Sequence, residues 1–130
     1  MSDSLFANII ESGRDLARLN YGVFRFGKGP TLHVISRKKL LEAVERHGGL
    51  GVVLDAWYRT AKAARWRSLE EVRRIYRHAD GVPVGERVYT VFNISGNSFR
   101  LVAEIYYEDQ VLLVRHVLTH AEYDKGDWRK

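Results

Sequence analysis

Arg100, His120 and Tyr123 carry the side chains of this sequence that are best suited to phosphodiester chemistry. The histidine and the tyrosine fall in Thr119-His120-Ala121-Glu122-Tyr123-Asp124, directly after the apolar run Val111 to Leu118. The arginine falls in Asn93-Ile94-Ser95-Gly96-Asn97-Ser98-Phe99-Arg100-Leu101. Cutting RNA without a metal requires removal of the 2′-hydroxyl proton, stabilisation of a more negative phosphorane and protonation of the leaving 5′-oxygen. A histidine can move either proton at neutral pH, and a guanidinium can hold the charge with a planar pair of donors. A tyrosine can donate a proton or stack on a base. Each residue also has a plainer reading: a capping or surface histidine, a tyrosine packed on the end of a sheet, and an arginine that binds phosphate or is simply solvated.

Other chemistries find less support. His116 and His120 are spaced for one face of a helix but lie at the end of a strand, and no carboxylate pair completes a ligand set, so no metal site is expected. There is no phosphate-cradling glycine loop, nucleophile elbow or dinucleotide fingerprint, so no cofactor is expected.

The elements that must position these groups follow from periodicity. Leu32-His33-Val34-Ile35 reads as a short strand; Ser36 then caps a helix carrying Leu40, Leu41 and Val44, which stops at Gly48-Gly49. A second helix buries Leu50, Val53, Leu54, Trp57, Ala61 and Ala64, so Arg59, Lys62 and Arg65 take its other side. Ser68-Leu69-Glu70-Glu71 is a capping box that starts a third helix running to about Arg77, and Asp80-Gly81-Val82-Pro83 breaks the pattern. From Arg87 the period becomes 2. Val88, Thr90, Phe92 and Ile94 alternate with Arg87, Tyr89, Val91 and Asn93, Ser95-Gly96-Asn97 turns the chain, and Phe99, Leu101, Ala103 and Ile105 alternate in a second strand. Glu108-Asp109 turns into a third strand, Val111 to Leu118. Helices followed by three antiparallel strands make an α+β fold with the helices on one sheet face, and that places Arg100 on the opposite, open face. Arg115 shares its strand parity with Val111, Leu113 and Val117, and so reads as structural, with its long stem snorkelling at the sheet edge.

The chain has 130 residues, one domain's length, with 45% hydrophobic residues, enough to build a core. Absence of cysteine excludes a disulfide framework and fits a reducing cytoplasm. No apolar run approaches the ~18 residues that span a bilayer, no leader pattern is present, and the expected location is the cytoplasm. The net charge of +5 is modest, but Arg59, Lys62, Arg65, Arg67, Arg73, Arg74 and Arg77 are gathered in one region. Such a cluster suits an anionic partner, or else a solvated helix face.

From Leu32 to the C-terminus the chain resembles the HigB toxins of bacterial type II toxin-antitoxin systems. The resemblance rests on His33-Val34-Ile35-Ser36-Arg37-Lys38-Lys39-Leu40, on Ala56-Trp57-Tyr58 and Ala61-Lys62-Ala63-Ala64-Arg65-Trp66, and above all on two motifs in this order. These are the Asn93 to Leu101 turn and strand, and Thr119-His120-Ala121-Glu122-Tyr123-Asp124-Lys125. It implies a RelE-like fold, mRNA endonuclease activity on ribosome-engaged messages, and neutralisation by a helix-turn-helix antitoxin of the HigA kind. It also implies that Arg100 holds phosphate and transition-state charge, that His120 transfers protons, and that Tyr123 stacks or donates a proton. Lys62, Arg65 and Arg67 become the candidate RNA- or ribosome-binding face, with Arg115 a further RNA-binding candidate. Alternatives on the same fold are a toxin that poisons DNA gyrase and a non-catalytic RNA-binding module.

The chain departs from the family pattern at its start. Leu32 stands where such toxins open with Met before His-Val-Ile, and a UUG leucine codon can initiate translation in bacteria. Residues 1–31 are therefore expected to be an N-terminal extension to a 32–130 toxin domain. That extension combines a helix over Asp3 to Leu19 with a glycine-rich linker, and it is either an upstream reading of the gene or an added segment that docks its apolar stripe.

Overall fold

The computed structural model describes residues 31–35 and 37–130. The expected N-terminal helix, its glycine-rich linker and the cap at Ser36 lie outside the described residues. Within them the order is β1 (His33–Ile35), α1 (Arg37–Arg46), α2 (Leu50–Ala63), α3 (Leu69–Ile75), β2 (Asp80–Val84), β3 (Arg87–Ile94), β4 (Phe99–Tyr106), β5 (Val111–Thr119), α4 (His120–Lys125) and a single 3-10 turn at Asp127–Arg129. The strands form one sheet in the order β1-β5-β4-β3-β2.

This α+β arrangement has the expected helices on one face, with two changes to the sheet. It is mixed rather than purely antiparallel, because β1 runs parallel to β5, His33 opposite Val111. It also gains β2 from the stretch that reads as a break: Val82 and Pro83 pair with Tyr89 and Val88. A proline lacks the donor a central strand needs, but β2 is an outer strand with one neighbour, where that loss is tolerated.

The helix-side core gathers Leu40 and Ala43 of α1, Leu50, Leu54, Trp57, Tyr58 and Ala61 of α2, and Phe92, Ile94, Leu101, Ala103, Leu112, Val114 and Val117 of the sheet. Phe92 is its hub. Its ring meets those of Trp57 at 5.5 Å, Tyr76 at 5.2 Å and Trp66 at 6.1 Å, tying α2, the α2–α3 loop and the end of α3 to β3. Aromatic pairs of this kind add ~0.5–1.5 kcal/mol each beyond area burial. At α3, Ser68 Oγ accepts from Glu71 N as the capping pattern requires, while the Glu71 carboxylate reaches one residue further back, to Arg67 N at 2.8 Å.

The opposite face is not left open. Tyr89, Val91 and Val102 form a second apolar cluster with Trp128, flanked by Leu118 and Tyr123. The C-terminal residues therefore fold back over the sheet, and this places the site.

Candidate active site

Arg100 is the second residue of β4, just after the 95–98 turn, where Ser95 and Gly96 take positive φ of 55° and 66°. The left-handed pair suits glycine and strains serine mildly. The turn brings Asn97 back onto the arginine. Arg100 Nη1 donates to Asn97 O and Phe99 O, each at 3.2 Å, and Nη2 donates to Asn97 Oδ1 at 2.7 Å. Among the described residues, Nε–H and the second Nη2–H are left as a paired edge of the guanidinium fork. That edge matches two oxygens of a phosphate.

His120 and Tyr123 do not sit on the strand itself. The strand ends at Thr119, whose Oγ1 accepts from Glu122 N at 3.1 Å while its N–H donates to Glu122 Oε1 at 2.9 Å. This capping box starts α4 at once and so fixes where its first residues point. Gly126, at φ 86°, ends α4 in the left-handed conformation and redirects the chain into the 3-10 turn. Thr119→Ala is expected to lower stability by about 1 kcal/mol, with Thr119→Ser close to the parent; urea midpoints check both, and equal midpoints for alanine and threonine would remove the cap from the site's scaffold.

His120 is held from two sides. Its backbone N–H donates to Ser98 O at 2.9 Å, joining α4 to the Arg100 turn. Its Nδ1 lies 3.1 Å from Asp124 Oδ2, at ion-pair distance but off hydrogen-bond alignment, and the side chain is 43% exposed. Tyr123 comes one turn later. Its ring stacks on Trp128 at 5.1 Å with the planes 15° apart, and Arg100 Cζ lies over it at 5.7 Å. Trp128 donates its indole N–H to Tyr123 O at 3.0 Å and is 6% exposed. Arg100 and Tyr123 are thus in direct contact, and His120 belongs to the same helix and is tied to the same turn.

Trp128 is a site-building residue that sequence reasoning missed. The available signal was a tryptophan just behind the glycine that caps α4.

Arg115 shares a face with Val111 and Leu113, as its strand parity has it, and parts only from Val117. Val102 pairs with His116 and Ala103 with Val114, so Arg115 is the extra residue of a β-bulge. The bulge turns Val117 to the helix face and leaves Arg115 beside Glu104 on the site face, Nε to Oε1 3.5 Å. Lys62, Arg65 and Arg67 are not brought to this site. They lie at the end of α2 and in the loop after it, where Ala64 O accepts from Leu32 N and Trp66 O accepts from Gln110 Nε2. That is the Val111 end of β5, about 25 Å from Thr119 at a strand rise of ~3.3 Å per residue. Lys62 sits 5.8 Å over the Tyr58 ring, its pKa lowered by burial and by Arg37 and Arg59.

A cleft of 380 Å³ adjoins α4, lined by His116, Leu118, Glu122, Lys125, Asp127 and Trp128. Burial holds the His116 imidazole below its usual range, and Lys39 and Arg115 push the same way. His33 is lowered too, by burial and then Arg37. A histidine whose folded pKa is depressed binds fewer protons folded than unfolded. Its contribution is therefore present above the unfolded value near 6.5 and is lost as pH falls through the folded one. The urea midpoint should drop between pH 7 and pH 5, and less so in His116→Asn; a midpoint flat over that window would contradict the assignment.

Among the described residues, no three His, Cys, Asp or Glu side chains gather into a set that could hold a metal ion, and no helix is long and apolar enough to cross a membrane.

Residues 52–126 match the family described as HigB_toxin, RelE-like toxic component of a toxin-antitoxin system. The mRNA interferase toxin HigB of Escherichia coli strain K12 is 31% identical over 93 residues, 72% of this chain and 88% of that protein. The mRNA interferase HigB of Shigella flexneri gives the same figures, and that of Escherichia coli O6:H1 is 29% identical over 94 residues, 72% of this chain and 90% of its own length. A sheet backed by helices on one face, carrying the two motifs named above, agrees with that match: the chain belongs to the HigB family of RelE-like toxins, toxic components whose counterpart is an antitoxin.

Proposed function

We propose that this chain is an mRNA interferase, a metal-independent endoribonuclease whose cleavage groups are Arg100, His120 and Tyr123. The observation that carries the reading is the arginine fork: anchored along one edge by Asn97, with its other edge unengaged, against Tyr123 and beside the helix that holds His120. Its relatives are named mRNA interferases.

In this reading the Arg100 donor pair takes two non-bridging oxygens of the scissile phosphate. His120 takes the 2′-hydroxyl proton through Nε2, and the Asp124 carboxylate, 3.1 Å from Nδ1, stabilises the imidazolium that results. The 2′-oxygen bonds to phosphorus, the bond from phosphorus to the 5′-oxygen breaks, and the Tyr123 hydroxyl donates to the leaving oxygen. The products are a 2′,3′-cyclic phosphate and a 5′-hydroxyl. Because the Tyr123 ring already contacts Trp128 and Arg100, donation suits it better than base stacking.

The finer features belong to the same proposal. Residues 32–130 form the toxin domain, the target is mRNA on the ribosome in the cytoplasm, and the antitoxin is a helix-turn-helix protein of the HigA kind. Arg115 serves RNA at the site face, and Lys62, Arg65 and Arg67, remote from the cleavage groups, serve a longer RNA or the ribosome.

Inducing the chain in cells and mapping RNA 5′ ends beside a DNA-damage readout tests this. New mRNA ends without DNA breaks are expected. Intact mRNA with trapped, broken DNA would instead make the chain a gyrase poison, and intact mRNA with salt-sensitive RNA binding alone would make it a non-catalytic binder.

A further inference from the structure

Glu104 is a buried acid for which the proposed cleavage steps have no use. It is 4% exposed, on the face of β4 that carries Arg100. Its Oε1 accepts from Arg87 Nη1 at 3.5 Å and lies 3.5 Å from Arg115 Nε, while Oε2 accepts from the Tyr106 hydroxyl at 3.0 Å. The two arginine side chains are 58% and 38% exposed. One enclosed anion therefore holds two solvent-facing cations, a net excess of one positive charge.

Stability is a poor reason for this arrangement. Exposed ion pairs contribute only ~0–1 kcal/mol, and an apolar side chain could fill the position of a buried carboxylate at no loss. What the carboxylate does provide is order. Arg115 is held at Nε and Arg87 at Nη1, which fixes the two guanidinium groups beside one another on the site face. Paired, oriented guanidinium groups are a phosphate receptor. Glu104 stands four residues along β4 from Arg100, a separation of about 13 Å at ~3.3 Å per residue. That is too far for one phosphate to touch both and within reach of one extended strand.

We propose that Arg87 and Arg115, oriented by Glu104, form a second phosphate site that binds the backbone of single-stranded RNA a few nucleotides from the phosphate at Arg100. The inference rests on the reading of Arg100 as the partner of the scissile phosphate. Glu104 is a positioning residue in it, since it acts through the two arginines.

The test uses the full chain and two uncleavable 2′-O-methyl oligonucleotides, one spanning both positions and one too short to reach the second, with binding followed by fluorescence anisotropy across a salt series. Arg87→Gln with Arg115→Gln should weaken the long RNA about tenfold and leave the short one unchanged, and the logarithmic salt slope should shrink by ~0.7 for each phosphate that the variant no longer neutralises. Glu104→Gln, although it adds positive charge, should also weaken the long RNA. The exposed arginine variants keep the test decisive if that substitution disturbs folding. Equal weakening of both lengths, or tighter binding by Glu104→Gln, would mean diffuse charge and overturn the proposal. So would unchanged RNA affinity alongside weakened capture of the antitoxin, which would assign the arginines to a protein surface. A parent chain that cuts no mRNA would bring down the underlying reading, an outcome distinct from a cutting parent with unaffected variants.

Discussion

Arg100→Ala should slow mRNA cleavage by about two to three orders of magnitude, the usual effect of removing one oriented donor from a site where charge develops. The midpoint of unfolding should hardly move. Three of the arginine's N–H groups are spent on Asn97 and Phe99 acceptors in the surface turn, which water can satisfy when the side chain is gone. Arg100→Lys should recover little, because an ammonium cannot present two parallel donors or bridge Asn97 Oδ1 and a phosphate together. Asn97→Ala should behave as a milder copy, since Arg100 keeps its charge and loses one side-chain anchor; a drop of about tenfold in single-turnover rate is expected. Single-turnover cleavage of one mRNA by the four proteins checks this series. If Arg100→Ala cuts like the parent, the guanidinium is solvated, as its plainest reading from the sequence has it.

Trp128→Ala should be the most damaging single change outside the helix-side core. Truncating a buried tryptophan costs about 3–5 kcal/mol, and this one covers Tyr89, Val91 and Val102 while its indole N–H holds Tyr123 O. A domain stable by ~5–15 kcal/mol survives such a loss. The damage should therefore show first as local opening: α4 has six residues, none of them buried, and it is fixed by its cap, by the His120 N–H bond to Ser98 O, by the Arg100 contact on Tyr123 and by the Trp128 stack. Amide exchange should accelerate across His120–Lys125 with the helix-side core still protected, and cleavage should fall with it because His120 and Tyr123 lose their place. Trp128→Phe, which keeps the stack and loses the N–H, should lie between. Unchanged exchange in α4 would mean that the tryptophan only fills surface.

How much of this was readable in the sequence depends on whether the signal was local. The β3–β4 hairpin was legible because Val88 to Ile94 and Phe99 to Ile105 alternate without interruption, and that alternation put Arg100 on the side away from the helices, where it lies. The Ser68 start of α3 was legible from capping chemistry. The parallel pairing of β1 was not, since three residues carry no mark of a partner far along the chain. Gly81 and Pro83 argued for a turn and against β2, and only the position of that strand at the edge reverses the argument. The bulge at Arg115 has no sequence signature, so parity grouped that side chain rightly with Val111 and Leu113 and wrongly with Val117, which the extra residue turns to the helix face. At the site itself, Thr119 and Glu122 repeat the spacing of Ser68 and Glu71, and the cap could have been read. It was hidden because the helix it starts is too short to show a period. The closure of the sheet face by Trp128 was invisible for a different reason: a lone aromatic near a chain end does not reveal what it packs on.

The central claim, that Arg100, His120 and Tyr123 form one RNA-cleaving site, meets its most direct test in the chemistry of the cut ends. The purified chain and its His120→Ala variant would be given a translating mRNA in a cell-free extract, and the 5′ termini of the fragments identified by whether a kinase can label them without prior phosphatase. The expected result is 5′-hydroxyl ends, paired with 2′,3′-cyclic phosphates upstream, from the parent and almost none from the variant. Fragments with 5′-phosphate ends, or equal cutting by His120→Ala, would contradict the claim.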